Sequence, residues 1–157
     1  MSDCTVAIEV IGPDGKSIHS ETQTAPAWEG FRQLASFRVS QPELWSPESP
    51  NLYRCRLKLS SSAGQSLQEE RFGIRHFEFV EHGPFKLNGK RVLLRGTQRH
   101  ADHAGVAAAM SDDLIRQEMQ LVCDMGANFI RLGHYQQDRL VLDLCDELGL
   151  MVWEEVP

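Results

Sequence analysis

Basic clusters, long apolar runs and paired cysteines are all missing from this sequence, and each absence closes off a class of function. Of its 157 residues, 16 are Lys or Arg and 22 are Asp or Glu, a formal net charge of −6, and the basic residues gather nowhere. A nucleic-acid surface needs a basic patch, usually with aromatics between the charges; none is expected here. A bilayer span takes about 20 consecutive apolar residues, and no run approaches that length. Cys4, Cys55, Cys123 and Cys145 are scattered without a Cys-x-x-Cys pair. Cys123 and Cys145 fall in helical patterns, where a thiol packs as a small apolar group rather than as a ligand. The opening Met1-Ser2-Asp3-Cys4 has no charged segment leading into an apolar one, so no secretory signal is read there. What the sequence does have, 41% hydrophobic and 24% charged residues, is the balance of a globular protein with a core, long enough for one ordinary domain or two small ones.

The first half reads as strands. Thr5 to Val10 alternates, and Pro13-Asp14-Gly15 supplies a tight turn from which Lys16 to Ser20 can return antiparallel. Ala35 to Val39 is a further alternating segment. The prolines of Leu44-Trp45-Ser46-Pro47-Glu48-Ser49-Pro50 remove backbone donors and forbid a central strand. Tyr53, Cys55, Leu57 and Leu59 share one face of the next strand, with Arg54, Arg56 and Lys58 on the other. Ser66 to Gly73 makes the last. Short alternating strands with turns at about ten-residue intervals predict an antiparallel β-sandwich, and no face of it collects acids, His or Cys.

From Ile74 the character changes. Asn88-Gly89 between Phe85-Lys86-Leu87 and Arg91-Val92-Leu93 is a hairpin signal. A strand near 92–96 runs into a loop holding Gln98, Arg99, His100, Asp102 and His103. Ser111 caps a helix near 112–125, with Asp112 and Asp113 in its first turn. Ile115, Met119 and Val122 recur at helical spacing, Leu114, Leu121 and Met125 widen the stripe, and Gly126 stops it. A strand near 128–131 ends in Arg131 and presents His134 and Tyr135. A helix near 138–148 closes at Gly149, and a strand near 150–154 ends in Glu154 and Glu155. Parallel strands with right-handed crossovers follow from this order. Strand ends that deliver Arg, His and Glu in turn suit the carboxyl face of a β/α barrel; a Rossmann-type sheet with polar loop caps is the alternative.

Four blocks resemble the middle of the family 2 glycoside hydrolases, the group of β-galactosidases, β-glucuronidases and β-mannosidases. Leu44 to Tyr53 resembles the late strands of that family's immunoglobulin-like domain. Arg71-Phe72-Gly73-Ile74-Arg75 with Phe85 to Lys90 resembles the passage into its barrel. Leu94-Arg95-Gly96-Thr97-Gln98-Arg99-His100 resembles the first barrel strand and its loop. Asn128 to Tyr135, with Asp143, Asp146 and Gly149 to Trp153, resembles the signature around the second and third strands. The fold implied is an incomplete immunoglobulin-like β-sandwich over 1–75, its first strands missing, then the first three βα units of a TIM (β/α)8 barrel over 76–157. A complete barrel takes about 250 residues, and about 80 follow Ile74, so the remainder of the parent polypeptide is expected to close it. With the true N-terminus expected to lie outside this segment, the compartment stays open.

The activity implied is retaining hydrolysis of O-glycosidic bonds, with a β-glycoside as substrate and no cofactor or metal. Such enzymes use two carboxyl groups about 5–5.5 Å apart. The family carries them at the fourth and seventh barrel strands, so no residue up to Pro157 is expected to be catalytic. The resemblance makes Arg131 the residue that orients the nucleophile, His100, Asp102 and His134 sugar-binding residues, and Glu154 (with Glu155 beside it) a candidate contact to the acid/base glutamate. Gly133 and Gln136 replace the family's usual Ser and Pro around the His-Tyr pair, which leaves the sugar unspecified. One alternative is a truncated product that is not itself an enzyme; outside the family reading, His100, Asp102, His103, His134 and Glu154 form another, a barrel metallohydrolase site. Its weakness is that Arg95-Gly96-Thr97 offers no ligand on the strand itself.

Overall fold

The computed structural model describes residues 3–156. Its chain forms two compact units, one comprising the chain up to Glu43 together with Asn51–Ile74, the other Leu44–Pro50 and everything from Arg75 on.

The first unit is one four-stranded antiparallel sheet, β1 (Cys4–Ile11), β2 (Ser17–Ala25), β3 (Tyr53–Ser61) and β4 (Gly64–Phe72), in the order β2-β1-β3-β4. The register sets Val6 opposite Leu59, Ile8 opposite Leu57 and Val10 opposite Cys55. Period-2 alternation therefore gathers one apolar face. On the opposite side Arg56 pairs with Glu9 and Glu69, a charged face left to water. The segment expected to be a strand at Ala35–Val39 is not one. Alternation makes a strand only where a neighbouring edge accepts its backbone. Here Leu34 and Ala35 pack instead on the Val6–Ile8–Ala25 cluster, while the Leu34 carbonyl accepts from the Gln23 amide at 2.5 Å and Phe37 stacks on His19.

The second unit holds β5 (Phe77–Phe79), β6 (Phe85–Leu87) and β7 (Lys90–Arg91) as an antiparallel trio. Asn88 and Gly89 turn the chain from β6 to β7 at φ 52° and 77°, the left-handed pair a two-residue hairpin requires. Then come β8 (Gly96–Arg99), α1 (Asp112–Asp124), β9 (Phe129–Leu132), α2 (Arg139–Leu148) and β10 (Met151–Glu154). These three strands form a parallel sheet in the order β10-β9-β8, so β9 is central and each crossover carries a helix.

The first of the three lies later than the expected 92–96. Asn128 explains the shift: it is buried, its side chain accepts from the Arg95 amide at 2.8 Å and donates to the Leu93 carbonyl at 3.0 Å. One side chain thus satisfies the backbone where a ladder would have run. At Gly96 the β9 backbone comes so close that an added Cβ would collide with the Phe129 carbonyl.

Each helix starts on a cap, Ser111 Oγ accepting from Leu114 N and Asp138 Oδ1 from Leu140 N. Ile115 and Met119 of α1 and Val141, Leu144 and Cys145 of α2 close over Ile130, Leu132 and Leu150. Burying each large side chain contributes about 1.5–3 kcal/mol. Leu121 and Met125 stay exposed, so the α1 stripe is narrower than its sequence suggests. Burial pushes the Cys145 thiol up to about 12, and it packs as an apolar group. Trp45 is buried as well: its indole N–H donates to the Asp146 carbonyl at 2.8 Å and its carbonyl accepts from Asn88 at 3.0 Å. Arg75 lies over its ring.

Candidate functional site

The site grows from strand register. Gln98, Arg131 and Trp153 lie side by side across β8, β9 and β10, and one step on Arg99, Leu132 and Glu154 do the same. Successive residues of a strand face opposite ways. Leu132 is in the helix-covered core, so Arg99 and Glu154 belong to the helix side while Gln98 and Arg131 face away from it.

On that second face the side chains converge at the carboxyl ends of the strands. Arg131 donates through Nε and Nη2 to Glu155 Oε1, at 2.8 and 2.5 Å, and through Nη1 to Gln98 Oε1 at 2.9 Å. Glu155 Oε2 lies 2.6 Å from His134 Nδ1. The His100 ring meets His134 edge-on at 5.2 Å between centroids, and Tyr135 stands 6.5 Å away on its other contact. Tyr135 Oη accepts from the Ala101 amide at 3.0 Å, which ties the two loops together. The peptide between Gly133 and His134 is cis. Charge-assisted bonds from Arg131, then the bond from His134, hold the Glu155 carboxyl below the usual carboxylate range, because both favour the ionised form. A carboxylate engaged on both oxygens and an exposed imidazole beside it make a polar, hydroxyl-matching surface rather than an apolar slot.

Of the residues singled out from sequence, His100, Arg131 and His134 are brought together. Glu154 is not among them. Its Oε1 accepts from the Gln137 amide at 3.3 Å on the helix side, and Glu155, the next residue, takes the place beside Arg131. Asp102 is exposed on the loop after β8 and takes no part in the cluster among the described residues. Of the five side chains of the metal alternative, three are drawn to different partners, His103 to Glu118 at 2.9 Å, His134 to Glu155 and Glu154 to Gln137.

Behind the site lies a polar cluster that sequence reasoning missed. Buried Arg99 donates to Gln137 and, at 3.2 Å, to Glu118 of α1, whose other oxygen meets His103. It braces the loops after β8 and β9 against one helix. No local signal marks it, since Arg99 reads as one of several polar residues in a loop between Gln98 and His100.

Residues 79–157 match the model described as Glycosyl hydrolases family 2, TIM barrel domain, and residues 2–75 the one described as Glycosyl hydrolases family 2. The crystal structure of the Parabacteroides merdae β-glucuronidase superposes with a TM-score of 0.97 at 50% identity, covering 100% of this chain and 20% of that one. The apo structure of Bacteroides uniformis β-glucuronidase 3 gives 0.86 at 48% identity, over 98% of this chain and 19% of that one. A β-galactosidase of Thermoanaerobacter pseudethanolicus is 37% identical over 127 residues, 79% of this chain and 17% of its own. The chain thus spans about a fifth of the length of such relatives.

Proposed function

The chain belongs to family 2 of the glycosyl hydrolases, and from that premise we propose that it works as part of a retaining β-glycoside hydrolase, forming one wall of the sugar site. In this reading residues 1–75 are the immunoglobulin-like part and 76–157 the first three βα units of the catalytic barrel. Further barrel units carry both catalytic carboxylates. Arg131 keeps the nucleophilic carboxylate ionised and aimed, and His100 and His134 hold hydroxyls of the sugar cleaved from the non-reducing end. Asp102, on its exposed loop, binds a further hydroxyl when the sugar arrives, and Glu155 rather than Glu154 supports Arg131 from behind. The observation that supports this most is the convergence of Arg131, Glu155, His134 and His100 where parallel strands end, the end at which barrels of this kind do their chemistry.

The substrate class we infer is a β-glucuronide, because both solved relatives cited above carry that name. Rates of the complete enzyme on matched aryl β-glucuronide and β-galactoside substrates test it. We expect kcat/KM at least about tenfold higher, roughly 1.4 kcal/mol in transition-state binding, for the glucuronide. A preference for the galactoside would refute the glucuronide assignment while leaving the glycosidase reading in place.

A further inference from the structure

We propose that Glu155 is a positioning residue that fixes His134 as the Nδ1–H tautomer, so that the neutral ring offers its Nε2 lone pair to a sugar hydroxyl that donates. The inference rests on the sugar-site reading for its consequence, but not for the tautomer. Glu155 Oε1 is taken by two N–H groups of Arg131, at 2.8 and 2.5 Å, and Oε2 sits 2.6 Å from His134 Nδ1. An ionised carboxylate only accepts. At 2.6 Å a bare Nδ1 would set lone pair against lone pair, so Nδ1 carries the proton. The Arg131 Nη2 that lies 3.4 Å from the same nitrogen then faces an N–H and is a neighbour, not a partner. Glu155 is held ionised by the same two groups. With one ring nitrogen committed, the other is left as an acceptor, on a side chain whose exposure is 64%. Among the described residues no side chain bonds to it.

The neighbouring protein groups therefore dictate polarity. The Arg131–Glu155–His134 relay ends in an acceptor, and the hydroxyl it takes must be a donor to it. In Glu155→Gln the amide oxygen stays on Arg131 and the amide N–H turns to Nδ1, which reverses the tautomer and converts Nε2 from acceptor to donor.

Imidazole nitrogen NMR on the complete enzyme labelled at histidine reads this directly, with the His134 resonances identified by their loss in His134→Gln. The expected spectrum has a protonated Nδ1 and a bare Nε2 at His134 at neutral pH, and the reverse in Glu155→Gln. A protonated Nε2 in the unaltered chain overturns the proposal without any variant; an unchanged tautomer in a folded Glu155→Gln does so too. In the complete enzyme Glu155→Gln is expected to lower kcat/KM by about tenfold or more, as a wrong tautomer does elsewhere. Reversal of the tautomer with unchanged kcat/KM would refute the functional half. An inactive complete enzyme with the expected tautomer would instead count against the glycosidase reading alone.

Discussion

At the scale of single residues, two adjacent glutamates have been sorted onto opposite sides of a sheet by one step of the chain. Glu154 is still in the ladder, opposite Leu132, and turns to the helix side. Glu155 is past the ladder and turns to Arg131. Sequence shows two acids at a strand end, but the last ladder residue is not legible to within one position, and a slip of one exchanges the faces. Arg131 and His134 are legible because a recurring motif carries them; Glu155 is legible only once the strand end is known. Its lowered pKa has a consequence for stability. A carboxyl whose folded-state pKa is depressed stabilises the fold above its ordinary pKa, and that contribution is lost as pH falls through the folded value. Glu155→Gln removes this dependence. Thermal midpoints measured from pH 6 down to pH 2 are expected to fall less steeply for the variant than for the unaltered chain, the difference opening below about pH 4.3. Parallel curves would mean that Glu155 is not the ionised partner of Arg131.

Three glycines separate along equally physical lines. A Cβ at Gly96 would collide with the Phe129 backbone, so Gly96→Ala is expected to cost about 1–3 kcal/mol through overpacking. At Gly149, φ is 76° and the Pro47 backbone lies against the open face, so Gly149→Ala adds a contact clash to the cost of a left-handed residue, about 1–2 kcal/mol. Gly133 has only ordinary contacts at 3.4 Å and beyond, and Gly133→Ala is expected to cost less than either. Urea midpoints at constant m-value rank the three, and a Gly133→Ala as damaging as Gly96→Ala would contradict the packing described.

At the scale of elements, the helices and the last two parallel strands were legible within a residue or so, because period, cap and stop agreed at Ser111, Gly126 and Gly149. The first parallel strand was not. Val92 to Arg95 is apolar enough for a strand, but Asn128 satisfies that backbone from the side. Ala35–Val39 failed for the complementary reason, alternation without a receiving edge. Nothing local in the sequence encodes either outcome. The brace under the site is equally non-local, and it sets an energetic prediction. Arg99 has 7% of its side chain exposed and is paired with Glu118. Removing one member of a buried pair leaves an uncompensated charge, at about 3–5 kcal/mol. Glu118→Ala is therefore expected to destabilise by about 3 kcal/mol and to raise hydrogen exchange across the loop from Ala101 to Met110. A loss below about 1 kcal/mol would show that Arg99 finds other partners.

At the scale of the whole molecule, the second unit leaves apolar surface on view. Phe77 is 54% exposed, Phe79 78% and Trp153 62%, and exposed patches of this kind mark contact surfaces or association. The proposed barrel gives them an occupant, its further strands, and predicts that residues 1–157 alone self-associate, visible as a concentration-dependent mass by light scattering. Glycoside hydrolysis needs proton donation to the leaving oxygen and a carboxylate at the anomeric carbon, each worth orders of magnitude. In the proposed scheme neither comes from these residues, while Arg131 and His134 shape the site they act in. The most direct test is the rate of aryl β-glucuronide hydrolysis by the complete enzyme, by its His134→Ala variant and by residues 1–157 alone. Turnover is expected from the complete enzyme, with a kcat/KM lower by about 100-fold in His134→Ala, and none from residues 1–157. Turnover by residues 1–157 that His134→Ala abolishes would contradict the proposed scheme, because the catalytic carboxylates would then lie within this chain.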